Sequence, residues 1–408
     1  MGSGALSWPF LRLYILTLFY FSANAILNVM IPLRGEALGA ANTTVGLIMG
    51  AYMLTTMFFR PWAGQLIGKH GPIKVLRIIL ILNGLALLLY PFTGLGGYFV
   101  ARILQGVSTA FFSMALQIGI IDALPEKDRS QGISLYSLFS YMPGIVGPML
   151  ALGMWEAGGM DYFTWTMIAI AMTTGLVGFS VRMDQQQQEK SAEKDAEQTA
   201  GTFQSLSQLV KNPFLFQCSV LMLTASTVFG AVTAFIPLYA KELDSGHAGI
   251  YLMLQAATVV LARFTLRTKI PSDGKWHTSY MMGMMLVLAA AALCVSLSLQ
   301  GGAILFYAGA ILMGTAQALI YPTLTTYLTF VLPLSSRNVL IGLFIATADL
   351  GVSLGGVLMG PVADLFSYSM MYMVCALLGV AMIFFSFERR SHAAKGTQGE
   401  SIQKMESR

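Results

Sequence analysis

Residues 100–112, VARILQGVSTAFF, place an arginine inside an apolar run. The run extends over about 97–122 and is long enough to cross the roughly 30 Å hydrocarbon core of a membrane, which takes about 20 helical residues. An arginine at the centre of such a helix costs roughly 2.5 to 3.5 kcal/mol on insertion scales, so Arg102 should face a protein interior or a wet cavity. The stretch therefore predicts a helix bundle embedded in a membrane.

The composition of the whole chain agrees with this interpretation. Of 408 residues, 56% are hydrophobic and 11% are charged, whereas a soluble domain has roughly 25% charged residues. Hydropathy divides the chain into twelve apolar runs. We expect an all-α integral membrane protein with twelve transmembrane segments, numbered here in chain order: 9–31, 44–66, 73–93, 97–122, 131–155, 162–181, 214–238, 246–266, 277–299, 302–330, 338–362 and 367–387.

The basic residues predict the orientation of these segments. Of the 24 Lys and Arg residues, Arg34 and Lys241 fall on one side, Arg102 lies inside a segment, and the others fall on the opposite side. Cytoplasmic loops carry the excess of Lys and Arg, so both termini are predicted to be cytoplasmic in a multi-pass protein of the cell membrane. The net charge of +5 then reflects topology and gives no indication of nucleic-acid binding.

The two halves of the chain repeat each other. VMIPLRGEAL at 29–38 matches TAFIPLYAKEL at 233–243, with Pro32 and Pro237 at an offset of 205 residues. Arg60 and Arg263 are 203 residues apart, and a later landmark pair, Pro125 and Pro333, is 208 apart. Parallel repeats of this kind place a substrate site between the halves near the bilayer midplane. We expect an N-terminal six-helix bundle at 1–181, a polar cytoplasmic linker at 182–213, a second bundle at 214–387 and a cytoplasmic tail at 388–408.

Three motifs resemble those of the major facilitator superfamily. RILQG at 102–106 is similar to the fourth-helix motif of that family, whose arginine is linked to proton coupling. GQLIGKHGPIK at 64–74 resembles its loop between helices 2 and 3, with Gly64, Lys69 and Gly71 retained and the usual aspartate replaced by Gly68. GIVGPMLALG at 144–153 partly resembles the fifth-helix antiporter motif through Gly147 and Pro148.

Longer stretches, among them HGPIKVLRIILI and TAQALIYPTLTTYLTFVLP, resemble the exporters of staphylopine-type opine metallophores. That resemblance covers most of both halves and implies proton-driven export of a small opine metallophore, either metal-free or metal-bound, by alternating access. The expected partners are the opine, protons and the lipid bilayer, with the protein acting as a monomer and without a cofactor.

Arg102 and Asp349 are the candidates for proton coupling and anion binding. Asp349 in IATADLGVSL lies well inside the eleventh segment, where a buried carboxyl group can carry a proton. We expect the charge of Arg102 to alternate between a carboxylate, for which Asp349 is the candidate, and the substrate. Two structural alternatives are open: Arg102 could snorkel or form a structural pair, and Asp349 could be a hydrogen-bonding group between helices.

Polar side chains at helical spacing are candidates for the substrate cavity. The α-helical period places Gln105, Thr109, Ser113 and Gln117 on the same face as Arg102, and we expect that stripe to face the cavity. Other predicted helices carry further candidates for the cavity, for which packing between helices is the alternative. These candidates are Tyr20, Asn24, Asn28, Tyr136, Ser140, Tyr141, Gln255, Gln317 and Tyr321.

Residues near the segment ends are candidates for gating. Arg34 and Glu36 could close the outer mouth. Arg60 and Arg263 occupy equivalent positions in the two halves and could brace the inner gate, although anchoring by positive charge explains them almost as well. Gly64, Lys69, Gly71, Gly147 and Pro148 belong to the gating candidates through the motif resemblance.

Other function classes fit the sequence less well. A general drug exporter or another small-solute transporter of the same superfamily is the nearest alternative, and a non-transporting membrane sensor is a further one. An enzyme is not expected, because the predicted segments lack the convergent nucleophile, His and acid that an embedded hydrolase needs. His and Cys residues show no metal-ligand spacing, so no metal site is expected either.

Overall fold

A computed structural model describes residues 5–158, 160–181, 211–266, 269–271, 273–333 and 337–387. The linker expected at 182–213 lies almost wholly outside the described residues, and the tail expected at 388–408 lies entirely outside them. The described helices, numbered in chain order, are α1 Trp8–Ala37, α2 Asn42–His70, α3 Pro72–Phe92, α4 Leu95–Ala123, α5 Glu126–Tyr141, α6 Pro143–Glu156, α7 Met160–Ser180, α8 Pro213–Tyr239, α9 Ala248–Thr265, α10 Thr278–Ser296, α11 Ser298–Val331, α12 Arg337–Leu365 and α13 Tyr368–Phe387.

The helices confirm the predicted all-α membrane fold with twelve spans. Within the described ranges, eleven spans are long and apolar enough to cross a membrane, with α5 and α6 together counting as one. The remaining span, α2, is 29 residues long and carries Arg60, Lys69 and His70, which lower its hydropathy. Because α2 packs against α4 on one side and α12 on the other, Arg60 is turned toward Asp349 of α12, whereas Lys69 and His70 are exposed at the end of the helix.

Local sequence explains two departures from the predicted segments. The fifth segment is divided at Met142, because Pro143 has no backbone N–H to continue the hydrogen-bond ladder of α5 and instead starts α6. Met142 keeps helical dihedrals, so α5 and α6 form one span. In α11, Gly302 has φ 65° and ψ −160°, which only glycine adopts readily, and the regular helix runs on from this kink.

The outer surface of the bundle is apolar and its interior holds the polar groups. Ile304, Phe384 and Trp165 are 82%, 73% and 70% exposed, as expected for side chains that contact lipid. Arg102 is 0% exposed, and Gln105, Thr109 and Asp349 are also buried. This inside-out distribution of polarity is the one that a membrane-embedded bundle requires.

The N-terminal helices contact the C-terminal ones most extensively along two seams. In the first seam α2 packs along α12, and in the second the span formed by α5 and α6 packs along α9. Small residues bring the first pair of backbones together: a Cβ on Gly46 would overlap the carbonyl oxygen of Gly356, and one on Gly50 would lie 2.8 Å from the carbonyl oxygen of Ser353. Close approach of this kind is the usual basis of helix association in membranes.

The two ends of the bundle are named here after one residue at each. We call the end where α1 meets α2 the Glu36 end, and the opposite end, where α2 meets α3, the Lys69 end. At the Lys69 end Gly71 has φ 80°, which allows the sharp turn from α2 into α3. A cavity lies between the two halves, lined by helices from both.

Candidate functional site

The cavity has a volume of about 280 Å³ and lies between α1, α5 and α6 of the first half and α8, α9 and α11 of the second. Its polar lining contains six of the side chains expected from the sequence: Asn24, Asn28, Ser140, Tyr141, Gln255 and Gln317. Pro148, which the motif resemblance had assigned to gating, also lines it. These six side chains come from four helices, two in each half, and Thr233 of α8 adds a hydroxyl group to the same space.

Arg102 lies directly behind two of these amides. Its two terminal nitrogens donate hydrogen bonds to the side-chain oxygens of Asn24 and Asn28, at 2.6 and 2.8 Å. Both asparagines are one helical turn apart on α1, so one guanidinium can hold them together. With their oxygens engaged, the asparagine NH2 groups are the polar atoms left to offer to the cavity. The arrangement is a positively backed set of donors, suited to an anion.

Arg102 also contacts α2. Its guanidinium carbon lies 5.2 Å from the ring centroid of Tyr52, and one terminal nitrogen lies 3.5 Å from the sulfur of Met49. The Nε atom of Arg102 is buried and has no hydrogen-bond partner among the described residues. Within the same part of the chain, no carboxylate oxygen comes within 4.0 Å of this guanidinium.

Arg102 and Asp349 are not paired in this conformation, so the expected alternation of Arg102 between Asp349 and the substrate stays a prediction. Asp349 instead accepts a hydrogen bond from Nε of Arg60 at 2.6 Å, and a terminal nitrogen of Arg60 lies 3.4 Å from its other oxygen. The reason is the packing of α2 between α4 and α12, which turns Arg60 toward Asp349 and leaves Arg102 facing α1 and the near side of α2. Arg60, expected at the inner gate, is the partner of the carboxylate.

A related contact forms across the second seam. Arg263 of α9 donates a hydrogen bond to the hydroxyl of Tyr141 at 2.9 Å, and its guanidinium carbon lies 4.2 Å from the centroid of the same ring. Arg263 is thus held against the wall of the cavity, because Tyr141 lines it.

Several predicted cavity residues do not line this cavity. The hydroxyl of Thr109 lies 3.1 Å from that of Tyr20 and 3.0 Å from that of Tyr52. Gln105 accepts a hydrogen bond from Tyr90. The α4 stripe packs against α1, α2 and α3, and the expectation that all of it faces the cavity is wrong here.

Packing contacts also hold Gln117, Ser113, Ser140 and Tyr321. Gln117 is hydrogen-bonded to Tyr136, and the hydroxyls of Ser113 and Ser140 return to carbonyls of their own helices. Ser140 still lines the cavity, whereas Tyr321 stacks on Phe344 with ring centroids 6.0 Å apart. Of these four residues, only Ser140 contributes to the cavity lining.

Contacts between the halves close the Glu36 end. Glu36 forms an ion pair with Lys241, and the carboxylate of Asp364 accepts from the backbone N–H groups of Asn42 and Thr43, each at 2.8 Å. Tyr368 donates to the side chain of Asn42 at 2.6 Å. Asp364 thereby caps the first turn of α2 from the opposite half, a favourable site for a carboxylate.

The other gating candidates have simpler surroundings. Arg34 is hydrogen-bonded to Tyr98, and Lys69 is exposed at the end of α2. A Cβ on Gly147 would lie 2.6 Å from the Cβ of Ala25, so this glycine permits the close approach of α6 to α1. A Cβ on Gly64 would meet only the end of Met114, at 3.7 Å.

Sequence reasoning missed Lys241 and Asp364 as contacts between the halves. A signal for Lys241 was present, because Glu36 and Lys241 are 205 residues apart, the offset that relates Pro32 to Pro237. Opposite charges at equivalent positions of a two-fold repeat can meet near its axis. Asp364 gave no comparable signal, because its hydrogen-bond donors are backbone N–H groups, which every residue type except proline has.

Two groups of membrane-spanning helices with a polar cavity between them, joined across two seams, define a membrane transporter of the alternating-access type. The chain belongs to the Major Facilitator Superfamily, whose profile matches residues 13–269 and 274–405.

Known relatives and structures agree with this assignment. The chain is 55% identical over 387 residues to the staphylopine export protein of Staphylococcus aureus strain Mu50, covering 95% of this chain and 97% of that protein. The nucleoside transporter NupG has a similar structure, with a TM-score of 0.72, 14% identity, and coverage of 94% of this chain and 100% of that one. The human organic anion transporter MFSD10 has a TM-score of 0.65 at 15% identity, with coverage of 92% and 98%. At these identities the two structures show the fold alone.

Proposed function

We propose that this protein exports staphylopine, or an opine metallophore closely similar to it, by proton-coupled alternating access. The observation that carries the proposal is the 55% identity to a staphylopine export protein over 95% of the chain.

The lining of the cavity supports an opine as substrate. An opine carries several carboxylates together with amines, and therefore needs both donors and acceptors around it. Asn24 and Asn28, held by Arg102, offer donors for a carboxylate. Gln255 donates to Gln317 at 3.0 Å and keeps a buried side-chain oxygen without a partner in the described chain, which can accept from an amine.

Proton coupling is proposed to act at Asp349. As an anion, Asp349 holds Arg60 and so fastens α2 of one half to α12 of the other. Protonation would remove the charge that holds Arg60 and weaken the first seam. Arg102 stacks on Tyr52, which lies on α2 as Arg60 does. Substrate bound in front of Arg102 and a proton bound to Asp349 would therefore both act on α2. Tyr52 and Arg60 are eight residues apart, or about 12 Å along the helix.

The proposed orientation follows from the basic residues. The Glu36 end would face outward and the Lys69 end the cytoplasm, with both termini cytoplasmic and the protein in the cell membrane. Residues 1–181 and 214–387 would move as two bodies linked by 182–213. The contacts of Glu36, Lys241 and Asp364 would then form the outer gate, which must open to release substrate.

Exchange in reconstituted vesicles tests the substrate without requiring a proton gradient. Proteoliposomes loaded with unlabelled staphylopine are diluted into isotope-labelled staphylopine, and the internal label is followed by mass spectrometry. Exchange that depends on the protein and is competed by unlabelled opine supports the proposal. Absence of exchange by folded protein, with and without bound metal, contradicts it.

A further inference from the structure

The internal repeat relates the two arginine contacts at the seams. Arg60 and Arg263 are 203 residues apart, at equivalent places in α2 and α9. Asp349 and Tyr141 are 208 residues apart, the offset that also relates Pro125 to Pro333. The Arg60–Asp349 contact and the Arg263–Tyr141 contact are therefore counterparts, one across each seam.

The counterparts differ in net charge. Asp349 is a carboxylate and neutralises Arg60, whereas a tyrosine hydroxyl is neutral near pH 7 and leaves the charge of Arg263 uncompensated. Among the described residues no carboxylate oxygen lies within 4.0 Å of Arg263, and its buried Nε has no hydrogen-bond partner there. Stacking on Tyr141 positions the cation and does not cancel it.

Arg263 lies beside the cavity. On α9, Gln255 and Val259 both line the cavity, and Arg263 follows at the next step of four residues on the same helical face. Tyr141, which holds the guanidinium, lines the cavity from the opposite half. The cation therefore sits about one turn, or roughly 6 Å, beyond Val259 toward the Lys69 end.

We propose that Arg263, held in place by Tyr141, binds a second carboxylate of the substrate and selects for substrates with at least two carboxylates. This inference rests on the proposed function and adds a specificity-determining residue to it. Arg102 lies behind the cavity-lining Asn24 and Asn28, and Arg263 lies behind the cavity-lining Tyr141. Both guanidiniums lack a carboxylate partner within the described ranges, while Arg60 has one. A substrate with two suitably spaced carboxylates supplies both missing charges, one beside α1 and one beside α9.

Equilibrium binding of staphylopine to the purified protein, measured by titration calorimetry, tests the inference. Arg263→Gln should weaken binding roughly tenfold to a hundredfold, the range of a lost hydrogen bond between charged groups. Tyr141→Asp reproduces the arrangement of the other seam and should weaken binding similarly, by neutralising Arg263 from within the protein. Arg12→Gln, at the same end of the bundle but stacked on Trp8, is the matched control and should bind as wild type.

Carboxamide derivatives separate a direct contact from a structural effect. Each carboxylate of staphylopine is converted in turn to the primary amide and titrated against wild type and Arg263→Gln. Wild type and Arg263→Gln should bind one of these derivatives with equal affinity, because that derivative lacks the carboxylate that contacts Arg263. Arg263→Gln binding within twofold of wild type, or an equal loss with every derivative, would overturn the inference. Wild-type protein that binds no staphylopine would overturn the proposed function and the inference with it.

Discussion

Asp349 of α12 is paired with Arg60 of α2, with 2.6 Å between Oδ2 and Nε, although the two residues are 289 positions apart in the chain. The contact joins the two halves of the transporter within the membrane-spanning part of the bundle. Arg60 is 26% exposed and Asp349 is 11% exposed, so water screens the pair only in part. An ion pair at a seam that must open during transport is suited to act as a switch.

Removing the charge of Asp349 should weaken the first seam. Asp349→Asn leaves Arg60 without its counter-charge and is expected to lower the free energy of unfolding by about 2 kcal/mol, within the range for hydrogen bonds to charged groups. The stability is measured by thermal or denaturant unfolding of the purified protein. The double variant Arg60→Gln with Asp349→Asn removes both charges and should recover part of the loss. Equal stability of wild type and Asp349→Asn would contradict a stabilising pair.

Arg102 should be needed for binding because it organises two donors. Arg102→Lys keeps the charge but cannot bond Asn24 and Asn28 with one planar group, and a tenfold or greater loss of staphylopine affinity is expected. Titration calorimetry measures this loss. Arg77→Gln, whose guanidinium lies near Phe179 and away from the cavity, serves as the control and should bind normally. Unchanged affinity of Arg102→Lys would indicate that Arg102 has a packing role only.

The Glu36–Lys241 pair should contribute modestly to closure of its end. The two side chains are 46% and 43% exposed, and exposed ion pairs are worth up to about 1 kcal/mol. Lys241→Glu introduces repulsion and should slow exchange a few-fold, with a smaller effect at high salt. The charge-reversed double variant Glu36→Lys with Lys241→Glu should restore the rate. A double variant as slow as Lys241→Glu would show that the pair does not act as a unit.

Close packing at Gly46 should set the distance between α2 and α12 at the Glu36 end of the first seam. A side chain in Gly46→Val would overlap the carbonyl of Gly356, so α2 and α12 should separate there. Spin labels at Ala41 and Phe366, in a background without the native cysteines, report the separation by pulsed electron resonance. Gly84→Val is the control, since nothing lies within 4 Å of a Cβ at that position. An unchanged distance distribution in Gly46→Val would rule out this contact as a determinant of closure.

The sequence predicted the helical spans and their polar faces more fully than it predicted which side chains contact each other. The period of the apolar runs located the spans to within a few residues. The spacing of four put Asn24 and Asn28 on one helical face, with the cavity or another helix as its neighbour, and the structure has both in the cavity lining. Asp349 was also singled out correctly as a carboxylate in the bundle interior. Its partner was not, because periodicity fixes the face of a helix on which a residue lies and leaves open which helix that face meets. Arg60 and Arg102 were both available, and the packing of α2 against α12 decides between them.

The same distinction explains the α4 stripe. Gln105 and Thr109 share a helical face with Arg102, as the sequence indicated, yet Tyr90, Tyr20 and Tyr52 reach them from neighbouring helices. A buried polar face needs partners, and either a cavity or other side chains can supply them. Only the assembled bundle shows which of the two applies to each residue.

Gradient-driven uptake into inside-out membrane vesicles tests the central claim most directly. With an acidic interior, wild-type protein should accumulate staphylopine above its external concentration, and a protonophore should abolish the accumulation. Asp349→Asn should lose accumulation while retaining exchange of labelled for unlabelled opine. Wild-type accumulation that persists in the protonophore, or accumulation by Asp349→Asn equal to that of wild type, would contradict proton-coupled export through Asp349.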